Sequence, residues 1–398
     1  MIYLYLFIIL VLVYYKFNVI NHIVILYFVW FLILLFSFFE LSELHIKIDD
    51  YTYFVIALFL LTYLIGSFLY RLKLKLRNNS FNREEPATQY IISYKSYIYF
   101  YLLFLILTIL NVIIAGYVPL ISMILTGDSG YGTFGISGLY GFYLAYSTAI
   151  GILSYYLYLV SSSRKYLYMY LIVFFVMILF ITRQNIIVLL VEPFVLYGLV
   201  KNKISNFKVI LGIVGVLFLF SFIGEMRSGD IKEIIKAKDE YQSLPSFVFW
   251  LYGYNYFSAL NLNNIFLNTI NPYFDGSSFS SLIPNFIRNI IGLNFEHEYF
   301  LHNPNFNVST ALATLYLDIG LYGLIILGLI FGYYTAKYYS LSKIQNNFNA
   351  IGIYSVLYFC TLFSFFTNYW FYLPIIFQIF FISIFSKFIF KRRSLSYV

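Results

Sequence analysis

Runs of roughly 20 apolar residues recur along the whole chain, separated by shorter polar connections. A helix needs about 20 apolar residues to cross the hydrocarbon core of a bilayer, so the runs predict membrane-spanning helices. They are continuously apolar and do not alternate with polar residues, which argues against an outer-membrane barrel. We therefore predict an all-α, polytopic transmembrane bundle of about 11 spans, a single integral membrane domain over residues 1–398. The candidate spans are residues 1–15, 19–39, 51–70, 96–116, 138–160, 166–182, 186–200, 208–224, 309–336, 350–367 and 371–390.

The first run, residues 1–15, has no basic segment before it and no small-residue cleavage site. Both are features of a secretory signal peptide, so we interpret this run as a span that is kept.

Lys and Arg fall on alternate connections, which predicts how the spans are oriented. One set of connections carries 18 of the 25 basic residues. The positive-inside rule places this set in the cytoplasm, with the N-terminus outside and the C-terminus inside. The outer side then holds a short acidic connection, residues 40–50, a glycine-rich one, residues 117–137, and one large periplasmic or extracellular loop, residues 225–308.

The composition excludes several classes of protein. Hydrophobic residues make up 62% of the chain and charged residues only 11%, against about 25% charged in a soluble domain. The net charge of +8 is spread over the connections, so it does not indicate nucleic-acid binding. The single cysteine, Cys360, rules out an internal disulfide and a cysteine-based metal cluster. Because no metal-ligand or nucleotide-binding motif is present either, we expect no metal and no cofactor.

The large loop contains two segments with a pattern of their own. Residues 230–240 are charged with isoleucines interspersed, which predicts a short amphipathic helix. Residues 247–257 are rich in aromatic side chains and are expected to lie in the membrane interface or to re-enter it.

Three outward-facing arginines are candidates for binding phosphate. Arg183 ends the sixth span, and Arg227 directly follows the eighth, so the two should lie at the same height and form a pyrophosphate clamp. A guanidinium makes forked, charge-assisted hydrogen bonds to phosphate. Arg288 is the third candidate. The alternatives are interfacial arginines that reach lipid headgroups, a weak local pair of Arg227 with Glu225 or Asp230, and a solvated loop arginine at 288.

The polar segment closes on His302-Asn303-Pro304-Asn305, just before an apolar helix begins. An imidazole that titrates near neutral pH can accept a proton from a sugar hydroxyl or bind an anionic oxygen. The alternative is a loop histidine that caps the helix. Asn303 and Asn305 are candidates for binding substrate.

Two carboxylates, Asp318 and Glu192, lie within predicted spans. Intramembrane carboxylates are costly and usually face a cavity or a partner. Asp318 is followed by Gly320, Gly323 and Gly328, which allow close helix contact. Asp318 either orients an arginine or forms a structural pair inside the bundle. We interpret Glu192 as structural.

His302-Asn303 followed by Asp318-Ile319-Gly320-Leu321-Tyr322-Gly323 resembles the bacterial O-antigen polymerases, also called oligosaccharide repeat-unit polymerases. The related O-antigen ligases carry a similar His-Asn motif in their large periplasmic loop. The resemblance covers residues 301–323 best and extends to residues 182–185 and 226–229. The layout of about a dozen spans with one large outer loop is similar too.

The resemblance implies a metal-independent glycosyltransferase in the bacterial cytoplasmic (inner) membrane. It would join undecaprenyl-pyrophosphate-linked oligosaccharide repeat units into O-antigen or capsular polysaccharide. A flippase would supply the repeat units, and the enzyme would work with a chain-length regulator. The expected catalytic residues are His302, Arg183 and Arg227, and the expected substrate-binding residues are Arg288, Asn303, Asn305 and Asp318. The alternatives are an O-antigen ligase, a flippase or other transporter of the lipid-linked oligosaccharide, and a membrane acyltransferase.

Overall fold

The computed structural model describes residues 2–80, 90–135, 138–201, 229–269, 271–293, 295, 300–345 and 347–392. Over these residues the regular secondary structure is helical, apart from two strands of three residues each. The all-α fold class predicted from the apolar runs is thus confirmed. The predicted span 208–224 and Arg227 lie outside the described residues.

Every other predicted span corresponds to one helix. The helices are α1 (Ile2–Tyr14), α2 (His22–Phe36), α3 (Asp50–Ser80), α4 (Tyr94–Ala115), α5 (Pro119–Thr126), α6 (Tyr140–Ser161), α7 (Arg164–Leu179), α8 (Arg183–Lys201), α9 (Ile231–Ile234), α10 (Ser246–Asn268), α11 (Ser277–Ser280), α12 (Asn285–Ile291), α13 (Thr310–Gln345), α14 (Phe348–Leu362) and α15 (Leu373–Ile389). Short 3-10 turns occupy Asp239–Tyr241, Phe363–Phe365 and Tyr369–Phe371. The two strands, β1 (Tyr90–Ile92) and β2 (Phe390–Arg392), pair antiparallel.

Among the described residues, six helices are long and apolar enough to cross a membrane. They are Asp50–Leu76, Tyr94–Thr126, Tyr140–Ser161, Arg183–Lys201, Thr310–Ile344 and Phe348–Phe365. Helices α1, α2 and α15 are apolar but shorter, at 13, 15 and 17 residues. The architecture is therefore that of a helical, multi-pass membrane protein.

Helices α3 and α13 touch along their backbones. A Cβ on Gly66 would lie 2.1 Å from the carbonyl oxygen of Leu329, and a Cβ on Gly332 would lie 2.0 Å from that of Tyr63. Gly328 also faces α3 and has no room for a Cβ. Small residues let membrane helices approach this closely without a hydrophobic driving force between them. The close contact predicted for Gly328 is confirmed.

Contacts between the basic connections gather them at one end of the bundle. Arg71 donates to the hydroxyl of Tyr15 at 2.9 Å, which links the ends of α1 and α3. The Lys165 ammonium lies 4.0 Å from the centre of the Tyr94 ring, which links α7 to α4. Strands β1 and β2 then join the start of α4 to the end of α15. These are the connections that the charge pattern assigned to one side of the membrane.

Residues 40–50 pack against the segment predicted as the large loop. Ser42 and Ala237 form an isolated β-bridge, and Lys238 pairs with Glu40 at 3.1 Å. The predicted helix over residues 230–240 is confined to the single turn α9. It ends there because Lys236 adopts a positive φ of 51° and Ala237 pairs with Ser42.

Within that segment lies α10, a helix of 23 residues that is buried along most of its length. Its aromatic half forms a second apolar cluster with α9, Leu41 and Phe306. Its other half carries asparagines that hold neighbouring segments. Asn263 accepts from the Asp49 N–H at 2.7 Å and from the Thr52 hydroxyl at 2.9 Å, which fixes the start of α3.

Candidate functional site

Helix α13 is broken at Gly320, which has φ 61° and ψ −160°. This region of backbone conformation is open to glycine and closed to almost every other residue. The break frees the carbonyls of Leu317 and Asp318, and a loop from earlier in the chain enters it. The N–H groups of Tyr273 and Phe274 donate to these two carbonyls, each at 2.8 Å. The exposed backbone of the broken helix is thereby satisfied, as burial requires.

Gly320 and Gly323 do not make the close interhelical contact that the sequence predicted for them. A Cβ on Gly320 would meet the ring of Pro272 in the entering loop, at 2.6 Å. A Cβ on Gly323 would meet Ile319 of its own helix. At both positions the nearest atoms belong to the entering loop or to α13 itself, and not to another helix.

Asp318 is fully buried beside the break. Its Oδ1 accepts from the Gly276 N–H at 2.8 Å, and its Oδ2 accepts from the Ser278 N–H at 3.1 Å. Ser278 in turn donates its hydroxyl to the Thr314 carbonyl at 2.8 Å. Of the two predicted roles for Asp318, these contacts favour the structural one, with backbone amides as its partners.

A cavity of about 500 Å³ is lined in part by this loop and in part by α13. Its volume falls in the range of roughly 300–1,000 Å³ that is usual for small-molecule sites. The lining combines hydroxyl groups, an amide, a guanidinium and aromatic rings. The lining residues are Ser277, Ser278, Ser280, Ser281, Arg288, Phe295, Thr314, Leu317, Thr367, Asn368, Phe371 and Tyr372.

Arg288 is the predicted site residue that lines this cavity. Sequence reasoning missed Asn368 and the hydroxyl-bearing residues. The Nδ2 of Asn368 donates to the Thr314 hydroxyl at 3.3 Å, while its Oδ1 is buried and has no hydrogen-bond partner among the described residues. Buried polar atoms are nearly always paired, so this unpaired acceptor is an exception beside the cavity. An isolated Asn in Thr-Asn-Tyr carries no signal of this role in the sequence.

The His-Asn motif is attached to α10. The His302 ring stacks on Phe257, with ring centres 6.2 Å apart and planes 16° from parallel. Its backbone N–H donates to the side-chain oxygen of Asn261 at 2.9 Å. The Nε2 of His302 is buried and has no hydrogen-bond partner within the described part of the chain. One ring nitrogen of His302 is thus unsatisfied in this structure.

Asn303 and Asn305 lie beside His302 but differ in exposure. Asn303 is buried, donates to the Ile234 carbonyl at 3.1 Å and accepts from the Asn305 N–H at 2.9 Å. It therefore ties the motif to α9 and shapes its turn. Asn305 is exposed, so its side chain is available to a ligand.

Arg183 is half-buried at the first position of α8. The turn before it is held by Thr182, whose hydroxyl donates to the Met177 carbonyl at 3.0 Å, and by Asn185, whose amide donates to the Leu144 carbonyl at 3.3 Å. The glycine-rich connection packs here too, since the rings of Phe134 and Phe180 lie 4.6 Å apart. The predicted site residues are therefore distributed over α8, the cavity and the α10 side of the bundle. Arg227, the second half of the predicted clamp, lies outside the described residues.

Glu192 is buried and accepts from the Gln378 amide at 2.8 Å, which joins α8 to α15. This contact favours the structural interpretation of Glu192. Within the described ranges, no three His, Cys, Asp or Glu side chains are grouped so as to hold a metal ion.

No protein-family model, no curated protein and no solved structure matches this chain.

Proposed function

We propose that this protein joins undecaprenyl-pyrophosphate-linked oligosaccharide repeat units into O-antigen or capsular polysaccharide, at the outer face of the bacterial cytoplasmic membrane. The proposal includes about 11 spans, with residues 225–308 on the outer side. A flippase would deliver the lipid-linked unit, and a chain-length regulator would set the length of the product.

The observation that carries the proposal is the polar cavity in an otherwise apolar bundle. Its serine, threonine and asparagine side chains match the hydroxyl groups of a sugar, and Phe371 and Tyr372 offer rings on which a sugar face stacks. The cavity lies beside the N-terminal parts of α13 and α15, whose C-terminal ends carry Lys337, Lys343 and Lys387. Under the positive-inside rule, the cavity therefore faces away from the cytoplasm.

In the proposed reaction, a hydroxyl of the acceptor repeat unit attacks the anomeric carbon of the donor glycan. A new C–O bond forms, the bond from that carbon to the pyrophosphate breaks, and lipid pyrophosphate leaves with the electron pair. Arg183 and Arg227 stabilise the charge that develops on the leaving group. His302 either accepts the hydroxyl proton or binds a phosphate oxygen, and both roles require that its buried, unpaired Nε2 becomes accessible when substrate binds.

Two related activities compete with this proposal. A ligase would transfer finished glycan to the lipid A core, and its site would have the same chemistry. A flippase needs polar groups along a path through the membrane, whereas the polar cavity described here is confined to one end of the helices that line it.

Deleting the gene separates the three activities. Loss of a polymerase leaves core lipid with a single repeat unit, loss of a ligase leaves core without glycan, and loss of a flippase removes the lipid-linked unit from the outer leaflet. We expect the first result. Arg183→Ala, Arg227→Ala and His302→Ala should each abolish chain extension while the protein still inserts. Full-length polymer from all three variants would overturn the assignment of these residues.

A further inference from the structure

We infer that Asp318 is a positioning residue for substrate binding, because it binds the backbone of the loop that forms part of the cavity wall. The inference rests on the proposed function in one respect, namely that the cavity binds the sugar substrate. Asp318 itself does not line the cavity. Its action is exerted through the inserted loop, residues 272–281, which enters the break in α13.

Four hydrogen bonds attach the inserted loop to two consecutive residues of α13. Two end on the main-chain oxygens of Leu317 and Asp318, and two end on the Asp318 carboxylate. Pro272 adds a packing contact, since it fills the space where a side chain at position 320 would stand. Two of these four hydrogen bonds thus depend on one side chain, and they are the two that hold the Gly276–Ser278 turn of the loop by its N–H groups.

The same loop supplies a large part of the cavity lining. Ser277 and Ser278 line the cavity directly beside the N–H groups that face Asp318. Ser281 donates its hydroxyl to the Phe371 carbonyl, which connects the loop to the opposite wall. A hydrogen bond weakens steeply when its donor–H–acceptor angle departs from linear. A displacement of about 1 Å in the groups of a binding site is enough to impair its function. A displaced loop would therefore misplace these hydroxyl groups.

The replacement Asp318→Asn turns one of the two acceptor oxygens into an N–H donor that faces a backbone N–H. We expect the apparent KM for the lipid-linked repeat unit to rise about tenfold or more, because a charge-assisted hydrogen bond is lost and a buried N–H is left unpaired. The turnover number should change much less, since Asp318 touches no reacting atom. Asp318→Glu keeps both oxygens and should restore part of the binding. Glu192→Gln, a matched control, removes a second buried carboxylate within the described spans, which joins α8 to α15. It should leave the apparent KM unchanged.

A second measurement tests the position of the loop without any substrate. Ser277→Cys places a thiol on the half-buried cavity wall, and the only native cysteine, Cys360, is fully buried. The rate of reaction with a water-soluble thiol reagent should rise several-fold when Asp318→Asn is added to Ser277→Cys, but not when Glu192→Gln is added.

Each outcome decides the inference. A labelling rate unaffected by Asp318→Asn shows that Asp318 does not hold the loop, and overturns it. A raised labelling rate with an unchanged apparent KM shows that the loop does not serve the substrate, and overturns it as well. If the wild-type protein makes no polymer, the proposed function fails, while the labelling rate still shows whether Asp318 holds the loop. A raised labelling rate together with a raised apparent KM supports the inference.

Discussion

The break in α13 can be tested by a substitution that adds a single methyl group at Gly320. Gly320→Ala adds a Cβ at a residue with φ 61° and ψ −160°. That Cβ would also lie 2.6 Å from Cγ of Pro272, closer than real Cβ contacts allow. The substitution therefore opposes both the backbone of the break and the packing of the inserted loop.

The magnitude follows from these two contributions. Holding a non-glycine residue in this backbone region costs about 1–3 kcal/mol. Overpacking by one methyl group costs a further 1–3 kcal/mol or so when the neighbour cannot move away. Pro272 belongs to a loop that can shift, so the second contribution is partly relieved. We expect a net loss of roughly 2–5 kcal/mol, a large fraction of the stability of an ordinary domain.

The assay is the midpoint of thermal denaturation in detergent, together with polymer formation in membranes. Gly320→Ala should lower the midpoint by several degrees and reduce polymer formation. Adding Pro272→Ala should recover part of the loss, because it removes the clash and leaves the backbone strain. Gly141→Ala is the matched control, since a Cβ there meets nothing within 4 Å. If Gly320→Ala and Gly141→Ala denature at the same temperature, the described break in α13 does not constrain residue 320 and the reasoning is refuted.

Three further predictions concern the cavity, His45 in the connection of residues 40–50, and the contact between α3 and α13. Asn368→Leu removes the amide group of the cavity lining and should raise the apparent KM about tenfold, whereas Asn268→Leu, on an exposed asparagine of α10, should not; equal values contradict the role of Asn368. Burial lowers the pKa of His45 in the folded protein below its unfolded value of about 6.5. The folded state therefore keeps its full stability above about pH 6.5 and loses stability as the pH falls from that value towards the folded pKa. His45→Phe should therefore flatten the decline of the denaturation midpoint between about pH 7 and pH 5, and an unchanged slope would exclude His45 as its source. Gly66→Ala pushes a methyl group into the Leu329 carbonyl and should cost about 1–3 kcal/mol, seen as a lower midpoint than that of the wild type; an unaltered midpoint would show that the two helices are free to separate.

The sequence alone determined the continuously apolar helices and the connections that meet at one end of the bundle. Apolar runs of membrane length form helices because a buried backbone must satisfy its hydrogen bonds internally. The predicted spans 96–116 and 371–390 agree with α4 and α15 to within two residues at each end. The basic residues marked the connections that meet at one end, because charge is kept out of the hydrocarbon core.

Helix α10 shows where the pattern of apolar residues stops being informative. Asparagines interrupt its apolar residues, so the segment has the pattern of a loop with an aromatic patch. Its asparagines are buried because they bind the backbone of segments that lie far away in sequence, such as the start of α3 and the turn before α13. Such partners exist only after the chain has folded.

The candidate site was likewise divided between sequence and structure. Arg288 and Asp318 stood out in the sequence because charged residues are rare in an apolar chain. Only the tertiary structure showed that Asp318 binds the backbone of the inserted loop, and that Asn368 shares a cavity with serines about 90 positions earlier. Composition and periodicity describe how each helix meets lipid and water. They contain no information on which distant backbone groups bind at a break in a helix. In this chain the loop bound at that break forms part of the cavity wall.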